Sequence, residues 1–424
     1  MRQKQNNIFS GIDWPLVLFF VLLVGFGWVN IYAASYTDEN IQVFDFSSKY
    51  GKQLLWILFS IPLIILILFI NAKFYQRFSS IFFILSLLTL IGLFIFGTEI
   101  NGARSWYRIG SVSIQPSEFA KTFTALALAK LMSDREYNLS LLKNQLKAFI
   151  IIFLPASLIA LHDPGSAIIY LAFFFVLNRE GLTLAYIIFG ILSIVLFIAT
   201  ILAGVKAIIG FLYVLITIYI IYRLYRNKRF LKFNWIKVLG LYLFSSIFIL
   251  SADYSYNNIL KKHQRDRFEV ILGKTSDTKQ IGYNSNQSIQ TISSGKFWGK
   301  GFLEGDKTQG NFVPAQDTDY IFSVVGEEWG FVGSSFVIFL FMGLLYRIIY
   351  KAEKHANKFG RIYGYGVASI LFFHLIVNIG MVIGLLPTVG IPLPFFSYGG
   401  SSLWGFTLLL FIFIKLDTQK SYDW

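Results

Sequence analysis

Two charged residues stand where charge is costly. Glu118 and Lys121 lie three positions apart in PSEFAK, at the head of an apolar run, so a helix there carries both on one face. Such a pair serves either a polar reaction site or a structural ion pair, and Glu118, in the first turn after Pro116, also suits a helix N-terminus. Arg104 and Arg108 flank Trp106 upstream. Guanidinium groups around an indole fit an anionic headgroup at a membrane interface, or plain anchoring there. Glu327 and Glu328, adjacent acids beside another apolar run, need internal partners or a wet cavity. Asp163, in His162-Asp163-Pro164-Gly165, is either a placed acid or the head of a tight turn. Acid–base work and anion binding are the chemistry open to this set. Thiol chemistry is excluded, because the chain has no Cys; the four His (His162, His263, His355 and His374) lack metal-ligand spacing, so no metal site is expected.

The elements that must position these residues are membrane spans. Of the 424 residues, 55% are apolar and 14% charged, more hydrophobic surface than a water-soluble core can hide. Runs suited to crossing about 30 Å of hydrocarbon fall at 14–34, 51–70, 76–97, 118–132, 147–162, 165–178, 183–203, 207–223, 235–252, 320–346, 361–386 and 401–416. The fold class expected is all-α, a polytopic transmembrane helical bundle of about 10–12 spans. The fourth and sixth runs are short enough to be tilted or partly re-entrant. The first follows a polar start without a small-residue cleavage site and reads as a retained anchor. No internal repeat or water-soluble domain is visible, so residues 1–424 read as one integral membrane domain.

An even number of spans puts both termini on one side. Counting loops alternately from a cytoplasmic N-terminus places Lys73, Arg77, Arg135, Lys143, Arg179, the basic cluster at 223–232 and the run from Arg347 to Arg361 inside. Residues 36–50 carry Asp38, Glu39 and Asp45 against Lys49 and fall outside, as the positive-inside rule expects. The same bias explains much of the net charge of +14, so no nucleic-acid partner is expected. Three outer segments are more than connectors. Thr98 to Ser117 reads as an ordered loop at the membrane surface. Residues 252–318 form a large extracytoplasmic loop, too long for a turn and patterned for short surface helices. Pro387 to Ser402 is rich in Pro and Gly, and non-helical backbone at membrane depth must line a cavity or be buried in protein.

These segments carry NGARSWYRIGSVSIQPSEFAK at Asn101 to Lys121, FVPAQDTDYIFSVVGEEWGFVG at Phe312 to Gly333 and PTVGIPLPFFSYGGSS at Pro387 to Ser402. With these strings in this order the chain resembles the SEDS family, the RodA and FtsW polymerases of the bacterial cell wall, over most of its length. Gly326 to Phe331 looks more like RodA. The resemblance implies an inverting glycosyltransferase that polymerises lipid II, an undecaprenyl-pyrophosphate-linked disaccharide-pentapeptide, at the outer face of the bacterial cytoplasmic membrane, for cell elongation and shape. An acceptor hydroxyl must attack the donor's anomeric carbon while lipid pyrophosphate leaves, so the site needs a base, cationic groups and a groove for lipid.

The same resemblance makes Asp277 the base. The family has an Asp shortly before a Gly-Tyr and a Gln-Ser pair, here Gly282-Tyr283 and Gln287-Ser288, although Thr278 stands where Pro is usual and the spacer is longer. Asp253, Asp306 and Asp319 are the competing acids. Around the substrate the resemblance and the loop chemistry put Arg104, Trp106, Glu118, Lys121, Asp163, Ser397 and Gly399, with Asp163 matching the acid of a family Gln-Pro-Asp-Leu-Gly-Thr string. Implied partners are a class B penicillin-binding protein transpeptidase and other elongation-complex membrane proteins. No cofactor is expected for certain; a divalent cation between pyrophosphate and one carboxylate leaves no local signature and stays open. The family is usually drawn with ten spans, so the extra apolar segments between Leu182 and Leu250 read as an insertion. Three other readings stay in view: an FtsW-like division polymerase, a scaffold that activates its transpeptidase, and a flippase for lipid-linked precursors, which should show a continuous polar path.

Overall fold

A computed structural model describes residues 11–36, 45–100, 103–110, 112–227, 235–259, 265, 269 and 283–418. These fall into two compact units, Met1–Leu182 with Tyr283–Trp424, and Thr183–Gly282. The first unit begins with α1 (Trp14–Ser35), α2 (Lys49–Phe69) and α3 (Ala72–Phe96). Each is started by a short polar side chain that accepts a hydrogen bond from an otherwise orphaned amide: Asp13 from Leu16, Ser48 from Gly51, Asn71 from Lys73. The surface loop after α3 is a small antiparallel sheet, β1 (Thr98–Ile100), β2 (Ala103–Ile109) and β3 (Val112–Ile114), in the order β1-β2-β3. Its register sets Thr98 opposite Trp106 and Arg108 opposite Ser113.

Next come α4 (Pro116–Ser133), α5 (Leu142–Ala160), and the broken segment α6 (Pro164–Ile168), a 3-10 turn and α7 (Phe173–Arg179). The second unit holds α8 (Ala185–Ala203), α9 (Val205–Asn227) and α10 (Trp235–Tyr254), and the apolar segments between Leu182 and Leu250 lie within it. Inside that unit, Tyr213 pairs with Ser246 and Thr217 with Tyr242 at 2.6 and 2.7 Å. The first unit resumes with α11 (Tyr283–Ser294), α12 (Asp306–Gln309), α13 (Ile321–Glu328), α14 (Gly330–Glu353), α15 (Lys358–Val382) and α16 (Gly400–Thr418).

Among the described residues ten helices are long and apolar enough to cross a membrane: α1, α2, α3, α5, α8, α9, α10, α14, α15 and α16. The chain is a multi-pass membrane protein. Two further expected runs also appear, α4, whose Ser, Thr, Glu and Lys lower its hydropathy, and the shorter Pro164–Arg179. Burial separates inner from outer helices. About 67% and 72% of the apolar windows of α15 and α16 are buried, against 22% in α2 and α3, so the former pair, with α4, form the core that lipid does not reach. Helix α4 suits that place because Ala120, Ala125, Ala127 and Ala129 let neighbours approach closely.

One expected span needs correcting. Residues 320–346 are not continuous: α13 ends at Glu328, and α14 starts two residues later. The break sits at Gly330, where φ is +63° and a Cβ would collide with the Gly299 amide and the Phe297 carbonyl, so the chain turns away from helix and lets residues 297–301 lie against the corner. Glu327 and Glu328 are thereby lifted out of the span.

Candidate functional site

The three strings, far apart in the chain, meet at one end of the first unit. The Ser401 hydroxyl, in the first turn of α16, accepts from the Gln115 amide at 3.2 Å and donates to the Ser113 carbonyl at 3.1 Å, tying β3 to α16. The Gln115 side chain donates to Asp163 Oδ2 at 3.3 Å. Asp163 also caps α6, accepting from the Ser166 amide and hydroxyl at 3.2 and 2.6 Å, so its tight-turn role is real. A Cβ on Gly165 would collide with the Val389 carbonyl, which puts this turn against the Pro387 to Ser402 loop.

That loop is stitched on its other side to residues 315–320. The Asn378 side-chain amide of α15 donates to the Asp319 and Ile391 carbonyls at 2.8 and 2.7 Å, holding both segments at once. Ser397 accepts from the Leu393 amide at 2.8 Å and donates to the Thr318 carbonyl at 2.7 Å. The Tyr398 amide donates to the Asp317 carbonyl, and the Gly399 amide to Gln53 Oε1 of α2 at 3.1 Å. Asp317 itself is buried and paired with Lys49 at 3.0 Å. Ser397 and Gly399 thus act here as fasteners of the loop, which their place in a Gly- and Pro-rich string does not disclose.

Beneath this face lies the buried pair. Lys121 Nζ donates to both carboxylate oxygens of Glu118 at 3.0 Å, and both side chains are almost fully enclosed. A third member joins from α15, because His374 Nε2 lies 3.0 Å from Lys121 Nζ. An ammonium only donates, so Nε2 accepts and the ring proton sits on Nδ1, 3.2 Å from the Pro392 carbonyl. The Phe406 ring closes the cluster, 4.8 Å from both the ammonium and the imidazole centre. The spacing of Glu118 and Lys121 predicts their pairing; nothing in the sequence marks His374, because its partner is 253 positions away on another span.

On β2, strand alternation gives Arg104, Trp106 and Arg108 one face and turns Ser105 and Tyr107 to the other. Tyr107 donates to the Thr89 carbonyl of α3, which pins the sheet to the bundle, while Arg104 and Arg108 stay exposed. Arg104 Nε donates to the Gly97 carbonyl at 2.9 Å. Burial lowers the affinity of His162 for a proton, and the nearby charge of Arg104 lowers it further.

The two lifted acids differ. Burial alone would raise the pKa of Glu327, yet Lys300 and Thr308 hold it below the usual carboxylate value; its oxygens accept from Ser294, Lys300, the Lys307 amide, and the Thr308 amide and hydroxyl at 2.8–3.2 Å. Glu328 is pushed up to about 7 by burial, with the charge of Glu327 adding to the shift and the Leu303 amide opposing it. Neither of its carboxylate oxygens has a hydrogen-bond partner of ordinary geometry. Asp277, the expected base, lies outside the described residues. Of its competitors, Asp306 pairs with Lys300 at 3.0 Å, Asp253 accepts from the Asn257 side chain at 3.0 Å, and Asp319 sits beside Gly390. Among the described residues, no group of three or more His, Asp or Glu could hold a metal ion.

A helical core with a buried ion pair under a loop-built polar face defines a polytopic membrane protein whose candidate site lies at one end of that core. The family model for FtsW, RodA and SpoVE, described as a cell cycle protein, matches residues 14–237 and 233–422. The chain belongs to this family. It is 31% identical to the peptidoglycan glycosyltransferase RodA of Treponema pallidum, over 97% of this chain and 98% of that one. It is 30% identical to the peptidoglycan glycosyltransferase MrdB of Escherichia coli K12, over 92% and 90%. Its fold is similar to that of a chain in a solved structure described as structural coordination of polymerization and crosslinking by a peptidoglycan synthase complex, with a TM-score of 0.69 and 24% identity over 98% of this chain and all of that one.

Proposed function

We propose that this chain is a RodA-like peptidoglycan glycosyltransferase that polymerises lipid II at the outer face of the cytoplasmic membrane, with both termini inside. The observation that carries this reading is the convergence of the three strings: Gln115, Asp163, Thr318, Ser397 and Ser401 are bonded into one surface although they come from four separate segments. Family membership supplies the activity, since relatives of full length bear that name.

In the proposed reaction Asp277 removes the proton from the acceptor sugar's hydroxyl as that oxygen attacks the donor's anomeric carbon, and lipid pyrophosphate leaves with the bonding pair. Arg104 and Arg108 are the cations offered to the pyrophosphate, with Trp106 as interfacial anchor. Asp163 orders the turn beside the loop, Ser397 and Gly399 hold the loop in shape, and Glu118 with Lys121 supports it from below. A class B penicillin-binding protein is the proposed partner, and the solved complex that couples polymerization with crosslinking supports it. Other elongation-complex membrane proteins are proposed to join them.

The test is lipid II polymerisation by purified protein with its transpeptidase partner, comparing wild type with Asp277→Asn after both are shown to bind the partner. Glycan strands from wild type and a loss of about 10²–10⁴-fold in the variant are expected of a general base. Equal activity removes Asp277 from the chemistry; strands from neither protein favour the flippase or scaffold.

A further inference from the structure

A groove of about 440 Å³ runs between α1 and α2, with Phe411 of α16 at its floor. We infer that it seats the polyprenyl chain of the lipid-linked substrate, an inference that rests on the proposed polymerase reading. Its chemistry excludes a headgroup. Of the three polar side-chain groups in its lining two are engaged elsewhere, the Ser60 hydroxyl donating to the Ile57 carbonyl at 2.6 Å and Trp28 Nε1 to the Tyr50 carbonyl at 3.1 Å, and the third, the Trp14 indole N–H, belongs to an exposed side chain at the cytoplasmic mouth. Exposed Val21 and Ile61 flank it, so it opens sideways to the bilayer.

Its length separates a polyprenyl chain from ordinary phospholipid. The lining extends from Trp14 to Trp28 on α1 and from Leu54 to Leu68 on α2, each about 21 Å at 1.5 Å per residue. One leaflet offers about 15 Å of hydrocarbon, half of the usual thickness. A chain filling the groove therefore passes the bilayer midplane, as an undecaprenyl tail is long enough to do.

The two ends also differ. The outer end adjoins the proposed site, since Gln53, next to Leu54, holds the Gly399 amide, and a Cβ on Gly27 would stand 2.6 Å from the Phe396 carbonyl. At the cytoplasmic end Asp13 pairs with Arg347 at 2.8 Å and with Lys351, and Lys351 pairs with Asp417 at 3.1 Å. Lys415 stands at this end too, its ammonium donating to the Leu68 carbonyl at 2.7 Å, so each of the three cations there already has a partner within the protein. The groove thus matches a lipid whose headgroup stays outside and whose tail runs inward. Gly25 sets its width, because a Cβ there meets nothing within 4 Å.

The test uses full-length protein in vesicles of phosphatidylethanolamine and phosphatidylglycerol containing a small fraction of undecaprenyl phosphate. A photoreactive benzophenone side chain is placed at Ile61, and, as a control facing lipid elsewhere, at Leu88 of α3, which is also exposed. The expected adduct at Ile61 carries undecaprenyl phosphate enriched about tenfold or more over its share of the lipid, a modest preference in affinity terms, with no enrichment at Leu88. Gly25→Phe, which fills the groove, abolishes the enrichment; Val21→Trp provides the same block if the Phe variant does not fold. Phospholipid adducts in proportion to composition at both positions overturn the inference. Polymerisation measured on the same preparations keeps the two readings apart: strands without enrichment refute the groove alone, and enrichment without strands sustains the groove while refuting the polymerase.

Discussion

Glu328 gives the sharpest consequence of the structure. Its carboxyl is 1% exposed, has no hydrogen-bond partner of ordinary geometry, and is held at about 7 against an ordinary value near 4.5. Because the folded value is the higher one, the folded protein binds more protons than the unfolded chain between pH 4.5 and 7, so stability falls as pH rises through that window and stays lower above it. The gap corresponds to about 3 kcal/mol at 1.36 kcal/mol per pH unit. Glu327 works in the opposite sense: its folded value is lowered, so its contribution is present above about pH 4.5 and fades as the pH drops below it. Together they put maximum stability near pH 5. Glu328→Gln keeps the shape and removes this ionisation, so the unfolding free energy of the variant relative to wild type, measured by steric trapping in bicelles, should rise by about 2.5 kcal/mol from pH 5 to 8. An equal slope in both proteins would refute the reasoning, because it means that Glu328 is not forced to ionise in a dry setting; the wild-type slope alone does not decide it, since His162, with its lowered proton affinity, contributes in the opposite sense.

Other outcomes follow from neighbouring features. Lys121→Met leaves Glu118 buried without its cation and should cost about 3–5 kcal/mol by the same unfolding assay, whereas the double variant with Glu118→Gln should recover part of that loss. Gly330→Val forces a branched residue to positive φ against the Gly299 amide, so it should destabilise the corner by about 1–3 kcal/mol or more and make residues 295–309 cut faster in limited proteolysis. Because the chain has no Cys, orientation is directly testable: a membrane-impermeant maleimide should label Phe46→Cys in intact cells and Arg135→Cys only after the cells are opened. The reverse pattern would invert the proposed topology.

The sequence by itself determined the parts that depend on local composition and period. Apolar runs of membrane length fixed the spans, since lipid demands that each segment satisfy its own backbone hydrogen bonds. The i,i+3 spacing of Glu118 and Lys121 fixed their pairing for the same local reason. Only the tertiary structure decided what long-range contact controls. His374 reaches Lys121 from another helix, and Asn378 bonds two loops at once; neither has a signature in its own neighbourhood. The break at Gly330 was hidden because the apolar pattern runs through it, and only the approach of residues 297–301 makes a helix there impossible. The surface sheet was hidden for a related reason, since three short strands become strands only when each finds its neighbour. The groove between α1 and α2 belongs to the same class: residues that individually read as ordinary span become a binding surface through the gap their packing leaves.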